Sequence, residues 1–220
     1  ANYKLAALIT LFTQAYRYAA EPFFFRNAGN ADALRTQAEV TKWFTVTAAV
    51  GMLGILLFLD VVKYFIGSKY HSGLHVVPIL LVANLLLGVY YNFSIWYRLK
   101  DRTGLGAWIS IAGAAITILL NLFLIPRFGY TGAAWVTLIC YAFMSWATWL
   151  TGRKHYPVPY QLGRMALYIG VALGIFALGK FLATAFAHHA ALLWAVRVAL
   201  FGSYFAFIYF FEKKDLRWLR

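Results

Sequence analysis

Four polar residues interrupt the first apolar stretch of the chain at steps of four, three and four positions: Thr10, Gln14, Arg17 and Glu21. Side chains at this spacing lie on one face of a helix. Ionised groups at bilayer depth are costly unless paired or hydrated, so charges in such a segment mark a transport path or a buried structural pair. With Leu5 near one membrane surface, Arg17 lies about 18 Å along the helix axis, close to mid-membrane.

Two interpretations of this stripe fit the residue types. In the first, Arg17 lines a central cavity and engages an anionic substrate group such as a diphosphate, which a guanidinium can bind through several donors. In the second, Arg17 and Glu21 form an i, i+4 pair that fastens the helix to its neighbours. Pro22 follows directly, so the helix is expected to kink or end there.

Polar residues recur at helical spacing in two later apolar stretches. Asn84 and Asn92 lie eight positions apart in one, and Thr117 and Asn121 lie four apart in the next. Amide and hydroxyl side chains of this kind usually hydrogen-bond between packed helices. We therefore favour helix packing for all four, with lining of a cavity as the alternative.

Three further charges lie in or beside apolar stretches. Asp60 and Lys63 share a helix face near the end of the second stretch, where an ion pair is a better interpretation than a proton relay. Arg197 in the last stretch either extends to the membrane surface or pairs with an acidic group on a neighbouring helix.

Histidine and cysteine do not form a convincing metal site. His71 and His75 are four apart, but no acidic residue lies near enough to complete a ligand set, and His188 and His189 fall in a short connection. Cys140 is the single cysteine, so the chain has no disulfide framework. Nucleotide-binding glycine loops, nucleophile elbows and paired catalytic carboxylates are also missing from the sequence, which predicts no cofactor and no hydrolytic enzyme.

The composition identifies the class of protein that must position these residues. Of 220 residues, 63% are hydrophobic and only 12% are charged, about half the charge of an average soluble domain. A bilayer accepts such an apolar exterior, whereas water does not. The fold class is therefore predicted as an all-α integral membrane protein. The net charge is +13. Because the basic residues lie between the apolar stretches, membrane topology explains this charge better than nucleic-acid binding.

About seven transmembrane helices are expected, because a helix needs about 20 apolar residues to cross the hydrocarbon core. The predicted spans are residues 5–25, 43–66, 74–97, 105–125, 131–150, 162–186 and 190–211. Residues 27–42 form the longest connection, whose alternating charges predict a short interfacial helix. Thirteen Lys and Arg lie in the connections at one face and four at the other. The positive-inside rule then places the C-terminus in the cytoplasm and the N-terminus in the periplasm.

Several runs resemble the bacterial lipopolysaccharide and O-antigen flippases. They are KLAALITLFTQAYRYAAEPFFFRNA from Lys4, VVPILLVANLLLGVYYNFSIWYRLKDRTGLGAWISIAGAAITILLNLFLIP from Val76, GYTGAAWVTLICYAFM from Gly129 and YPVPY from Tyr156. These flippases form the polysaccharide transporter family of the multidrug, oligosaccharidyl-lipid and polysaccharide exporter superfamily. The similarity covers residues 4–160 well and the last two spans by pattern.

The resemblance implies a MATE-like fold of two six-helix lobes facing a cavity. This chain resembles the eighth to fourteenth spans, so residues 1–160 are expected to form most of the second lobe and residues 161–220 two additional helices with a basic cytoplasmic tail. The absent initiating Met agrees with a fragment whose first lobe is missing.

The resemblance also implies the substrate, an oligosaccharide on an undecaprenyl diphosphate carrier that is turned across the bacterial inner membrane by alternating access. Arg17, with Gln14, Glu21 and Thr10, is then expected to lie on the substrate path. The implied partners are the lipid-linked oligosaccharide, the missing lobe, membrane lipids and a polysaccharide polymerase.

Three alternatives remain open at the level of the sequence. A drug or cation exporter of the same fold favours acidic groups in its cavity, and the first span carries both Arg17 and Glu21. A membrane-embedded polymerase or acyltransferase needs large outer loops, and the predicted outer connections are short. A purely structural membrane subunit is the third alternative.

Overall fold

The computed structural model describes residues 3–62, 64, 73–185 and 190–213, which fold into helices without any β-strand. In chain order the helices are α1 (Tyr3–Asn27), α2 (Ala33–Leu57), α3 (Leu59–Val62), α4 (Val77–Leu99), α5 (Thr103–His155), α6 (Leu162–Ala185) and α7 (Ala190–Glu212). Five of them, α2 and α4 to α7, are long and apolar enough to cross a membrane. This confirms the all-α membrane class, while the count of seven crossings stays a prediction.

Helix α5 contains the fourth and fifth predicted spans as two arms joined at a sharp bend. Gly129 forms the bend with φ 54° and ψ −136°, a backbone conformation that residues with a Cβ rarely adopt. The arms pack closely: the Cys140 thiol donates to the Gly113 carbonyl at 3.4 Å, and a Cβ added at Gly132 would lie 2.5 Å from the Leu124 carbonyl oxygen. The predicted connection at residues 126–130 is therefore the tip of a helical hairpin.

A separate interfacial helix before the second span was predicted wrongly. Instead of an interfacial helix followed by a span from Trp43, α2 runs unbroken from Ala33 to Leu57. The segment has no proline and no glycine before Gly51, so nothing in it interrupts the backbone ladder. Its polar residues Gln37 and Lys42 are buried, so this face of the segment packs against other helices.

Helix α1 was expected to kink or end at Pro22, yet it continues to Asn27 with the proline inside. Three side-chain contacts join it to α4 at successive levels, and the residue numbers rise together on both helices. The two helices therefore run parallel. Parallel directions agree with the predicted alternation of spans, in which the first and third run the same way.

The core lies between α2 and α4, which carry the most deeply buried apolar side chains. Ala49, Met52, Leu53, Leu80 and Leu81 are completely enclosed. Helix α4 packs against α1, α2 and α5, while α2 packs against α6 and α7. Large apolar side chains on the outer faces of α5, α6 and α7 are exposed, as expected for surfaces that face lipid.

One cluster of buried residues joins α6 and α7 to the rest of the bundle. Met165 and Ala172 of α6 and Tyr204 of α7 belong to the same apolar cluster as the α2 and α4 side chains. The predicted division between residues 1–160 and 161–220 therefore does not separate two cores. Its meaning as a transporter lobe with two added helices stays a prediction.

Candidate functional site

The polar stripe of α1 faces α4 along its length. Near the start, the Thr10 hydroxyl donates to the Asn84 side-chain oxygen at 2.8 Å. Near the other end, Glu21 pairs with Arg98, with 2.6 Å between Oε2 and Nη1. Gln14 lies between them and is half-buried. The stripe thus faces protein, as its position in an apolar helix requires.

Glu21 bridges two guanidinium groups. Its Oε1 accepts a hydrogen bond from Arg17 Nε, and its Oε2 contacts Arg98 Nη1. The three side chains are 24% to 36% exposed, so water reaches them only in part. The Arg17 guanidinium carbon also lies 4.8 Å from the centre of the Tyr91 ring, within the range of a cation–π contact. The cluster carries one net positive charge when Glu21 is ionised.

A cavity of about 250 Å³ opens beside this cluster, between α1, α4 and the start of α5. Its walls are formed by Arg17, Tyr90, Tyr91, Ser94, Tyr97, Arg98 and Thr103. Every side chain in this wall carries a hydrogen-bonding group. Glu21 is not part of the wall and instead lines a gap of about 10 Å³ between α1 and α4. The two arginines therefore contact the carboxylate and line the cavity, whereas the carboxylate does not line it.

Sequence reasoning found Arg17 and Glu21 but treated Arg98 only as a cation of an inner connection. A partial signal was available, because Asn84 and Arg98 are fourteen positions apart on one helix. This interval is close to four whole turns at 3.6 residues per turn, so a shared face of α4 could have been predicted for these two residues.

Asn92 packs α4 against neighbouring helices and does not line the cavity of about 250 Å³. It accepts a hydrogen bond from the Tyr16 hydroxyl at 2.6 Å and donates to the Gly88 carbonyl at 3.0 Å. The Gln37 amide donates to the Asn92 carbonyl and to the Tyr160 hydroxyl, at 3.3 and 2.9 Å. Burial raises the pKa of Tyr160 well above its usual range, so this hydroxyl stays neutral. The network joins α1, α2, α4 and the connection after α5.

Asn84, Thr117 and Asn121, the other secondary candidates, also do not line the cavity of about 250 Å³. Asn84 is occupied by Thr10 and by a bond to its own helix. Thr117 donates to the Gly113 carbonyl at 2.9 Å, one turn earlier in α5. The side-chain oxygen of Asn121 is buried without a hydrogen-bond partner among the described residues. The packing role that the sequence favoured fits Asn84 and Asn92 better than cavity lining.

A second ionic cluster, which sequence reasoning missed, joins α2, α6 and α7. Lys42 Nζ lies 2.8 Å from Glu212 Oε2 and 2.8 Å from Glu39 Oε2. The side chains of Lys42 and Glu212 are 0% exposed. The Tyr168 hydroxyl donates to Glu212, and Arg164 lies 3.7 Å from it. The cluster is neutral overall. Its short contacts indicate that its role is to hold α2, α6 and α7 together.

At the opposite end of the bundle, Arg197 of α7 contacts Asp60 of α3 at 2.5 Å. Arg197 thus pairs with an acidic group on a neighbouring helix, the second of the two alternatives. Asp60 is 53% exposed, so the pair contributes little to stability. Lys63, the partner predicted for Asp60, lies outside the described residues.

No group of three potential metal ligands occurs in the described part of the chain. His75 Nε2 lies 3.0 Å from the Thr131 hydroxyl. His71, His188 and His189 lie outside the described residues. Comparison with known proteins found no match to a family model, a curated protein or a solved structure.

Proposed function

We propose that this chain is part of a transporter that moves an anionic lipid-linked oligosaccharide across the bacterial inner membrane, with Arg17 and Arg98 binding its diphosphate. The observation that carries the proposal is the cavity of about 250 Å³ with these two guanidinium groups in one wall. The polysaccharide-flippase resemblance supplies the chemical identity of the substrate. The membrane orientation, with a cytoplasmic C-terminus, belongs to the same proposal.

The donor arrangement supports an anionic ligand. Glu21 accepts from the Nε edge of Arg17, which leaves the two terminal nitrogens and their four N–H groups for a ligand. Guanidinium groups bind phosphate oxygens through parallel, charge-assisted hydrogen bonds. Removing one such interaction costs about 1.5–3 kcal/mol, which corresponds to roughly a 10- to 150-fold loss of affinity.

The remaining wall suits the sugar part of such a substrate. The Tyr91 hydroxyl can exchange hydrogen bonds with sugar hydroxyls, whereas the Tyr97 and Ser94 hydroxyls already donate to Thr148 and to the Tyr91 carbonyl. Moving a polar head group through hydrocarbon unaided would leave many such groups unsatisfied. In alternating access, the cavity takes the place of water around the head group while the prenyl chain stays in lipid.

The charge of the cluster separates this proposal from the cation-exporter alternative. A cation site requires an acidic group that is free to bind. Both oxygens of Glu21 are engaged by arginines, and the net charge beside the cavity is positive. The cluster therefore favours an anion.

Export of surface polysaccharide tests the proposal, with each variant placed in the chromosomal gene so that the whole native protein is produced. Arg17→Ala and Arg98→Ala are expected to reduce export at least tenfold, and Arg17→Lys is expected to retain part of it. Arg153→Ala is the matched control, because Arg153 is exposed and contacts only the Trp149 ring among the described residues. Normal export by both alanine variants at equal membrane abundance would remove the arginines from the transport path.

A further inference from the structure

Glu21 occupies an unusual position relative to the cavity. One of its oxygens contacts Arg17 and the other contacts Arg98. Both arginines line the cavity of about 250 Å³, whereas Glu21 does not line it and borders the narrow gap between α1 and α4 together with Arg17. An anion in the cavity and the carboxylate behind it would therefore share the same two cations.

We propose that binding of an anion to this cavity is coupled to uptake of one proton by Glu21. The inference depends on the anion site proposed above and adds its regulation. Without ligand, two guanidinium groups and one carboxylate leave a net charge of +1. A doubly charged anion would reverse that sign in a partly buried site, where charges interact more strongly than in water. Protonation of Glu21 restores neutrality and leaves more of both guanidinium groups to the anion.

Glu21 is the group in this cluster that can take up the proton. The arginines remain charged at all accessible pH values. Tyr16 on α1 and Tyr91 on α4 contribute phenol groups and no further carboxylate. Helix α2 contributes Val40 to the apolar contact around this part of α1, and Thr103 of α5 does not titrate. The proton is therefore assigned to the carboxylate.

The sign of the coupling follows from linkage. If the anion favours the protonated carboxylate, then protonation favours the anion by the same factor. Acidification is expected to tighten anion binding, by up to tenfold per pH unit when one full proton is taken up. Release of the anion at higher pH would return Glu21 to its contacts with both arginines.

Sulfate is a suitable probe, because it is a tetrahedral dianion that does not itself titrate between pH 5 and 8. We suggest calorimetric titration of the full native protein in lipid nanodiscs with sulfate. Measurements in two buffers of different ionisation enthalpy give the number of protons taken up. Wild-type protein is expected to take up between half a proton and one proton per sulfate and to bind more tightly at lower pH.

The variants are chosen to isolate the carboxylate. Glu21→Gln is expected to bind sulfate without proton uptake and with a Kd independent of pH. Glu21→Asp keeps a titratable group and is expected to retain the uptake. Glu39→Gln is the matched control, because Glu39 pairs with Lys42 in the other ionic cluster. It should behave as wild type.

The outcomes separate this inference from the proposed function. Sulfate binding by wild type without proton uptake, or equal uptake by Glu21→Gln, would overturn the coupling while leaving the anion site intact. Absence of sulfate binding by wild type would also overturn it. The export assay on Arg17→Ala decides the proposed function independently, because it measures transport and not proton count.

Discussion

Removing either partner of the buried Lys42–Glu212 pair is expected to destabilise the bundle more than any other change of a single charge in the described chain. The two side chains are fully enclosed, and Lys42 Nζ lies 2.8 Å from Glu212 Oε2. The two residues are 170 positions apart in sequence. Lys42→Met leaves Glu212 with the Tyr168 hydroxyl and with Arg164 at 3.7 Å. Glu212→Gln leaves Lys42 with Glu39.

The loss in free energy of unfolding depends on the partners that remain for the unpaired charge after each substitution. A buried ion pair that loses one member costs about 3–5 kcal/mol when nothing replaces it. Because partial compensation remains on both sides, we expect about 2–4 kcal/mol for Lys42→Met and about 1–3 kcal/mol for Glu212→Gln. The double variant removes both charges and should cost clearly less than the sum of the single changes, since coupled groups are not additive.

Thermal unfolding in lipid nanodiscs, followed by tryptophan fluorescence, measures the effect. By the scaling for soluble chains of 150–250 residues, Lys42→Met should lower Tm by roughly 4–16 °C. Asp60→Asn is the matched control at the other end of α7, where Asp60 is 53% exposed and its pair with Arg197 is expected to contribute about 1 kcal/mol or less. An unchanged Tm for Lys42→Met, or strict additivity in the double variant, would refute the reasoning that these charges are buried and mutually compensated.

Three further predictions concern single positions in the bundle. Gly129→Ala should lower Tm by the equivalent of roughly 1–3 kcal/mol, because alanine is strained at the positive φ of the α5 bend. Asn92→Ala should cost about 1–3 kcal/mol in the same assay, because it leaves buried hydrogen-bonding groups without partners. Gly152→Val should lower Tm and shift the Trp96 fluorescence, because a Cβ at this position would lie 2.9 Å from the indole nitrogen of Trp96. Gly104 has open space around it, so Gly104→Ala is the control and should leave Tm and fluorescence unchanged.

The membrane class and most helix positions could be predicted because long apolar stretches have few alternatives in a bilayer. Even so, residues 27–42 were predicted as a connection with a separate interfacial helix, whereas residues 33–42 belong to α2. That prediction assumed that alternating charges mark a membrane surface. The assumption fails where a charge finds a buried partner, and Glu212 provides one from the far end of the sequence.

The candidate site was predictable in part for a similar reason. Arg17 and Glu21 share one helix, so their spacing alone places them together. Arg98 lies 77 positions after Glu21, and no local pattern reports a contact between separate helices. The parallel arrangement of α1 and α4 makes that contact, and it is a property of the tertiary fold.

The Lys42–Glu212 contact also has a consequence for the order of synthesis. Chains grow at roughly 5–20 residues per second, so the 170 residues between the partners require about 10–30 s. During that interval Lys42 has entered α2 while its principal counter-ion does not yet exist. Glu39, one turn away on the same helix, is already present and can neutralise it. We therefore expect Glu39 to pair with Lys42 during synthesis, until the end of α7 brings Glu212 to the cluster.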